Sequence, residues 1–206
     1  RKPRVYHGMF ASHPDNDTRL QEVVKAAGKA QNAEDRPPNR DLYLSHINGL
    51  PMGDSRAQGV VRGSRFYHAD LGITLAFPTG WIVDNQRTKV VAYTEAKDAV
   101  MVVSAEAPPP GMAPKEFLGR MLQKVPTTEA EPLRVNNLDG YRAVVRSTTL
   151  PWGNQGPANV AVVYYNNLAY IFQGYTRQAA GLSSFEPVFL SSVKTFRRLK
   201  DNEFTA

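Results

Sequence analysis

The chain of 206 residues contains no cysteine, which excludes disulfides and thiolate metal sites. No apolar run approaches the roughly 18 residues that a membrane-spanning helix requires, so no such span is expected. Histidine is scarce. His7, His13, His46 and His68 are the whole supply, no two of them stand four residues apart, and His-Glu-x-x-His occurs nowhere. A catalytic zinc needs three protein ligands, an open position for water and a carboxylate base, most simply presented by two histidines one helical turn apart. That presentation is missing, so no catalytic residue, metal ligand or cofactor is expected in this chain. The opening residues, RKPRVYHGMF, hold neither an apolar signal core nor an initiating methionine, and the chain is expected to be a portion of a longer protein.

What is present suits a folded core: 42% of residues are hydrophobic and 10% aromatic, enough to bury a sizeable interior. The net charge of +6 raises the question of nucleic acid, and its distribution answers it. Residues 1 to 64 carry ten Lys/Arg against seven Asp/Glu, and the remainder fifteen against twelve. The basic clusters Arg1-Lys2-Pro3-Arg4 and Arg197-Arg198-Leu199-Lys200 are short, terminal and free of interleaved aromatics, so they read as solvated tails and not as a strand-binding groove.

Near the N-terminus, Leu20, Val23, Val24 and Ala27 recur at helical spacing behind Pro14 and the capping residues Asp15, Asn16 and Asp17. His13 then stands in a loop just ahead of a helix. A second, brief helix is expected from Asp41 to Asn48, with Gly49 at its C′ position. Between Leu50 and Arg65 the sequence turns to Pro, Gly, Asp, Ser and Gln, which marks a linker. The expected division is a helical tail over 1–50, a linker over 51–64 and a domain over 65–200.

That domain opens with FYHADLGITLAFPTGWIVDN (66–85). Asp70-Leu71-Gly72 and Pro78-Thr79-Gly80 are turn signals, and Ile73, Leu75 and Phe77 alternate with Thr74 and Ala76 as one buried face. Further strands are expected at 89–94, 99–105, 133–135, 141–150, 158–166 and 168–176, with turns at Leu138-Asp139-Gly140 and Asn166-Asn167. Pro114 opens a helix carrying Phe117, Leu118, Met121 and Leu122. A last helix, 184–196, aligns Phe185, Phe189, Val193 and Phe196. These elements predict an α+β domain, an antiparallel β-sheet flanked by helices and preceded by a short helical segment.

Candidate functional residues are few. Ser64, His68 and Asp70 lie too close in sequence to converge as a triad from separate elements, and Tyr164 and Tyr165 complete the polar inventory. In the loop Pro151 to Pro157, Trp152, Asn154 and Gln155 are candidates for contact with a partner protein, the alternative being a hairpin loop whose Trp folds back on the core.

Two resemblances add to this. Phe10-Ala11-Ser12-His13-Pro14 followed by Arg19 resembles the Ser/Thr-His-Pro…Arg motif that follows the catalytic helices of bacterial M48-type zinc metallopeptidases. YHGMF, DTRLQEVV, YLSHINGL and GDSRAQGVVRGSRFYHADLG resemble, in the same order, the region joining protease core to C-terminal domain in envelope members of that family. The resemblance implies a zinc endopeptidase of the periplasm or cell envelope whose protease domain lies ahead of Arg1. In that full-length protein His13 would be metal-proximal and Arg19 its positioning partner; the alternative is that both simply cap and pin a helix. The order of elements over residues 65 to 200, with the Phe-Pro-x-Gly-Trp turn, resembles the Mog1/PsbP-like fold, with NTF2-like and ferredoxin-like arrangements as runners-up. The functional expectation is a non-catalytic accessory region that gates or recruits substrate, partnered by the protease domain or a protein substrate; the alternative is a stand-alone protein-binding module.

Overall fold

Tight turns decide how the first strands associate. In the computed structural model, which describes Lys25, residues 59–123 and 125–200, and Glu203, β1 (Val60–Arg62), β2 (Arg65–His68) and β3 (Ile73–Ala76) are joined by reversals at Gly63 and Gly72, both with positive φ. Each strand pairs antiparallel with the next, and the short C-terminal β11 (Arg197–Arg198) closes on β3, giving a small sheet ordered β1-β2-β3-β11. Pro78 and Gly80, the latter at φ +83°, then turn the chain out of this sheet. The chain divides into two units, Arg1–Leu50 and Pro51–Ala206, and residues 59–200 belong to the second.

The large sheet is built from β4 (Ile82–Asn85), β5 (Lys89–Tyr93), β6 (Ala99–Glu106), β7 (Thr127–Val135), β8 (Leu138–Thr149), β9 (Gln155–Tyr165) and β10 (Leu168–Thr176). Its order is β4-β5-β6-β10-β9-β8-β7, antiparallel throughout. Asn166 and Asn167 both adopt positive φ and form the expected two-residue hairpin loop. The other expected turn moves. The β7–β8 reversal falls on Asn136 and Asn137, also at positive φ, while Leu138, Asp139 and Gly140 lie in β8. Gly140 is there for a different reason: a Cβ on it would stand 2.5 Å from the Val162 carbonyl oxygen of the adjacent strand.

Helices cover the two faces. α1 (Pro114–Met121) starts on Pro114, and Glu116 reaches back to accept the Ala113 N–H at 3.3 Å. Its Phe117 and Leu118 pack with Ala143, Val145, Val160, Val162 and Ile171 on one face of the sheet. α2 (Leu182–Lys194) lays Phe185, Phe189 and Val193 on the opposite face, and Phe196 follows just beyond its end. Trp81 stacks on Phe185 with centroids 5.7 Å apart. The helix is also tied electrostatically: Arg142 on β8 donates to Glu131 on β7 at 2.7 Å and to Glu186 on α2.

The expected α+β layout is therefore corrected. The described residues are mostly β, in two antiparallel sheets, with two α-helices between residues 59 and 200. Apart from Lys25, the expected preceding helical segment lies outside the described residues. Most strands were legible, though β1 falls in the expected linker and β11 in a cluster read as a solvated tail; sheet membership was not, because the Pro78–Gly80 turn separates two sheets while looking like any hairpin signal. One-sided burial of β3 is corrected as well: Thr74 is fully buried, its hydroxyl donating to the Phe66 carbonyl at 2.9 Å.

Two glycine substitutions should shift stability in opposite directions. A Cβ on Gly174 would meet the Phe189 ring at 2.6 Å and Phe185 at 2.9 Å, so Gly174→Val should lower the urea midpoint by an amount worth about 1–3 kcal/mol. Gly119 is exposed in mid-helix, and a Cβ there would meet nothing within 4 Å, so Gly119→Ala should raise it by about 0.5–1 kcal/mol.

Candidate functional site

The two sheets share one core, and at one end a cleft opens between them with a volume of about 310 Å³. Phe66, Leu71, Ile73 and Leu75 of the small sheet form one wall, and Val90, Val103 and Leu168 of the large sheet form the other. The mouth is set by the β4–β5 hairpin, closed by the Gln86 N–H donating to the Lys89 carbonyl at 2.9 Å. This turn brings exposed Arg87 and Lys89 to the rim, and Asn85 beneath it donates to the Gly59 carbonyl at 3.1 Å. Among the described residues no Asp or Glu lines the cleft.

His68 sits at the end of β2 on the opposite lip. Its Nδ1 accepts the Leu71 N–H at 3.3 Å and its ring meets Phe66 edge-on at 6.1 Å. That bond leaves the proton of the neutral ring on Nε2. Burial pushes its pKa below the ordinary 6.5, with Asp70 acting weakly the other way. Tyr170 forms part of the floor, 1% exposed, its ring 4.7 Å from that of Phe196. Its hydroxyl is buried with no hydrogen-bond partner among the described residues. Burial, and secondarily Tyr165, pushes its pKa up to about 12, so it is a neutral donor throughout the physiological range.

The sequence-predicted residues are distributed as follows. His13 and Arg19 lie outside the described residues. Trp152 is half-buried and donates its indole N–H to the Lys97 carbonyl at 2.9 Å, which tethers its loop to the β5–β6 turn. Asn154 and Gln155 are exposed; the Asn154 carbonyl closes the loop on the Leu150 N–H, and Gln155 bonds Thr149 at 2.8 Å. Ser64, His68 and Asp70 do not form a triad: the imidazole acceptor is taken by Leu71, and Asp70 is exposed and reaches His68 only through its field. Tyr164 lies on the α1 face against Phe117, so it is separated from the cleft by the sheet, whereas Tyr165 lies beside Gly72. Among the described residues no group of three or more His, Cys, Asp or Glu could hold a metal ion, and no helix is long and apolar enough to cross a membrane.

Sequence reasoning missed Asn85, Arg87, Lys89 and Tyr170. The short polar stretch Gln86-Arg87-Thr88 between two apolar segments signals a hairpin tip, but nothing local says that a second sheet faces it.

No family model matches the chain, and no curated protein does. Among solved structures the chain is similar to cyanobacterial PsbP (CyanoP) from Synechocystis sp. PCC 6803, with 13% identity and a TM-score of 0.49 over 72% of this chain and 98% of that one. It is also similar to the Ran-binding protein Mog1p of Saccharomyces cerevisiae, with 13% identity and a TM-score of 0.46 over 68% and 97% of the two chains. A protein from Bacteroides thetaiotaomicron gives 11% identity and a TM-score of 0.47 over 69% and 51%. The first two are of the Mog1- and PsbP-like kind expected from the order of elements; no ligand or partner of theirs is carried over to this chain.

The state of His68 can be checked directly. Its ring should titrate below pH 6.5 by NMR. The unfolded chain then binds the extra proton more readily, so the contribution of this group to stability is present above that range and lost as pH falls from 6.5 downward. His68→Asn, which retains a short acceptor for the Leu71 N–H, should shrink the difference between urea midpoints measured at about pH 7.5 and about pH 5.5; an unchanged difference refutes the assignment.

Proposed function

We propose that residues 59–200 form a binding domain that acts as the accessory region of a zinc-dependent metalloendopeptidase of the bacterial envelope, recruiting or gating substrate for a protease domain. The observation that carries the binding reading is the cleft between the sheets: an apolar slot with a polar, positively charged rim, the arrangement that ligand sites share. Among the described residues of its lining, the one ring nitrogen with an acceptor role, His68 Nδ1, takes the Leu71 N–H and not a nucleophile's proton.

What supports the protease assignment is the sequence around Ser12-His13-Pro14 and Arg19 and the ordered stretches beside it. In that setting His13 would be metal-proximal and Arg19 its positioning partner, while a His-Glu-x-x-His helix and a later glutamate of the protease domain would hold the metal. The donors on this chain do not fit such a site: four dispersed histidines offer no pair on one helical turn, and no step of peptide hydrolysis is assigned to them.

The assignment is tested by reading the gene upstream of the Arg1 codon and by assaying the chain itself. An in-frame His-Glu-x-x-His is expected upstream; an initiation codon directly ahead of Arg1 overturns the accessory role and leaves a stand-alone binding module. The chain alone should bind no zinc at catalytic stoichiometry and cleave no casein, and chelator-sensitive cleavage by it would reject the non-catalytic reading.

A further inference from the structure

Two properties of the cleft together specify its occupant. The walls are apolar, as Leu71, Ile73 and Val103 illustrate. The rim carries Arg87 and Lys89 with no carboxylate among the residues lining the cleft to neutralise them.

Apolar walls alone would accept any molecule of the right size. Two rim cations with no carboxylate among the lining residues disfavour a cationic ligand and form charge-assisted bonds with an anionic one. The volume, about 310 Å³, is at the lower end of small-molecule sites, roughly 300–1,000 Å³, and suits a compact molecule. We propose that the cleft binds a small apolar carboxylate, such as a medium-chain fatty acid or an arylalkanoic acid, with its apolar body between the sheets and its carboxylate at Arg87 and Lys89. This rests on the reading of the unit as a binding domain and adds the ligand class.

Titration calorimetry of the full chain tests it with decanoate, 3-phenylpropionate, decanol and decyltrimethylammonium. At least one of the two carboxylates should bind saturably at one site, about tenfold or more tighter than the ammonium compound. Which of them does so distinguishes an alkyl from an aryl source. Arg87→Glu combined with Lys89→Glu, both at exposed positions, should abolish or reverse that preference. Ala105→Trp, exposed on the lining of the cleft, should lower carboxylate affinity about tenfold or more with the urea midpoint unchanged. Equal affinity for carboxylate and ammonium, tighter binding of decanol than of either acid, no saturable carboxylate binding, or unchanged affinity in both the Ala105→Trp and the Arg87/Lys89 variants would each overturn the proposal. A negative titration leaves the upstream His-Glu-x-x-His result untouched, so loss of the ligand class and loss of the accessory role are read in separate experiments.

Discussion

The large sheet has to be buried on both faces, and the rest of the structure depends on how that is done. Along β10, Tyr170, Phe172 and Gly174 face α2 and the small sheet, while Ala169, Ile171 and Tyr175 face the side covered by α1. Burial of one large apolar side chain stabilises by roughly 1.5–3 kcal/mol, so Phe172, Phe189, Val193 and Phe196, all fully buried, dominate the α2 side. Gly174 makes that packing possible because its missing side chain leaves space for the Phe189 ring. Arg142, held by Glu131 and Glu186, adds a directional tie between helix and sheet, and its worth lies more in fixing where α2 sits than in net stability.

Much of this was legible from local pattern. The aromatic stripe of α2, Pro114 at the start of α1, the Asn166-Asn167 reversal and the limits of β10 all follow from periodicity and turn chemistry acting within a few residues. What was not legible is long-range. Thr74 belongs to a strand read as one-sided, yet it is paired by β2 on one edge and β11 on the other and is buried with its hydroxyl satisfied. A threonine in an alternating strand gives no hint of this, because the partner strand enters more than a hundred residues later. The Leu138–Gly140 reading failed for a related reason. Glycine serves both turns and close strand approach, and in this hairpin the neighbouring Asn136 and Asn137 take the turn.

The candidate site follows the same rule. His68 was visible as a polar residue near a turn, but its role as a cleft lip depends on the β4–β5 hairpin of the other sheet. Arg87 and Lys89 are ordinary hairpin-tip cations in isolation. Their effect comes from the lining they border, which holds no carboxylate to neutralise them. The net charge of +6 therefore says little about this site; local composition of the lining decides its sign. Trp152 illustrates the converse, a residue conspicuous in sequence whose indole N–H is engaged by a neighbouring turn.

The C-terminal end of the chain bears on the cleft through the small sheet. Glu203 accepts two bonds from the Arg197 guanidinium, at 2.8 and 2.5 Å, and a third from the Lys200 N–H at 2.9 Å. These bonds, the guanidinium first, hold its pKa down at about 2. A carboxylate with a depressed pKa contributes stability above its ordinary value of 4.5, and that contribution is lost as pH falls toward 2. The latch fixes β11 against β3, and the next residue, Leu199, donates its N–H to the Gly72 carbonyl at 2.8 Å. Gly72 ends the turn that carries His68 and Leu71, two residues of the cleft. One lip of the cleft is thus braced by a segment more than a hundred residues away in sequence.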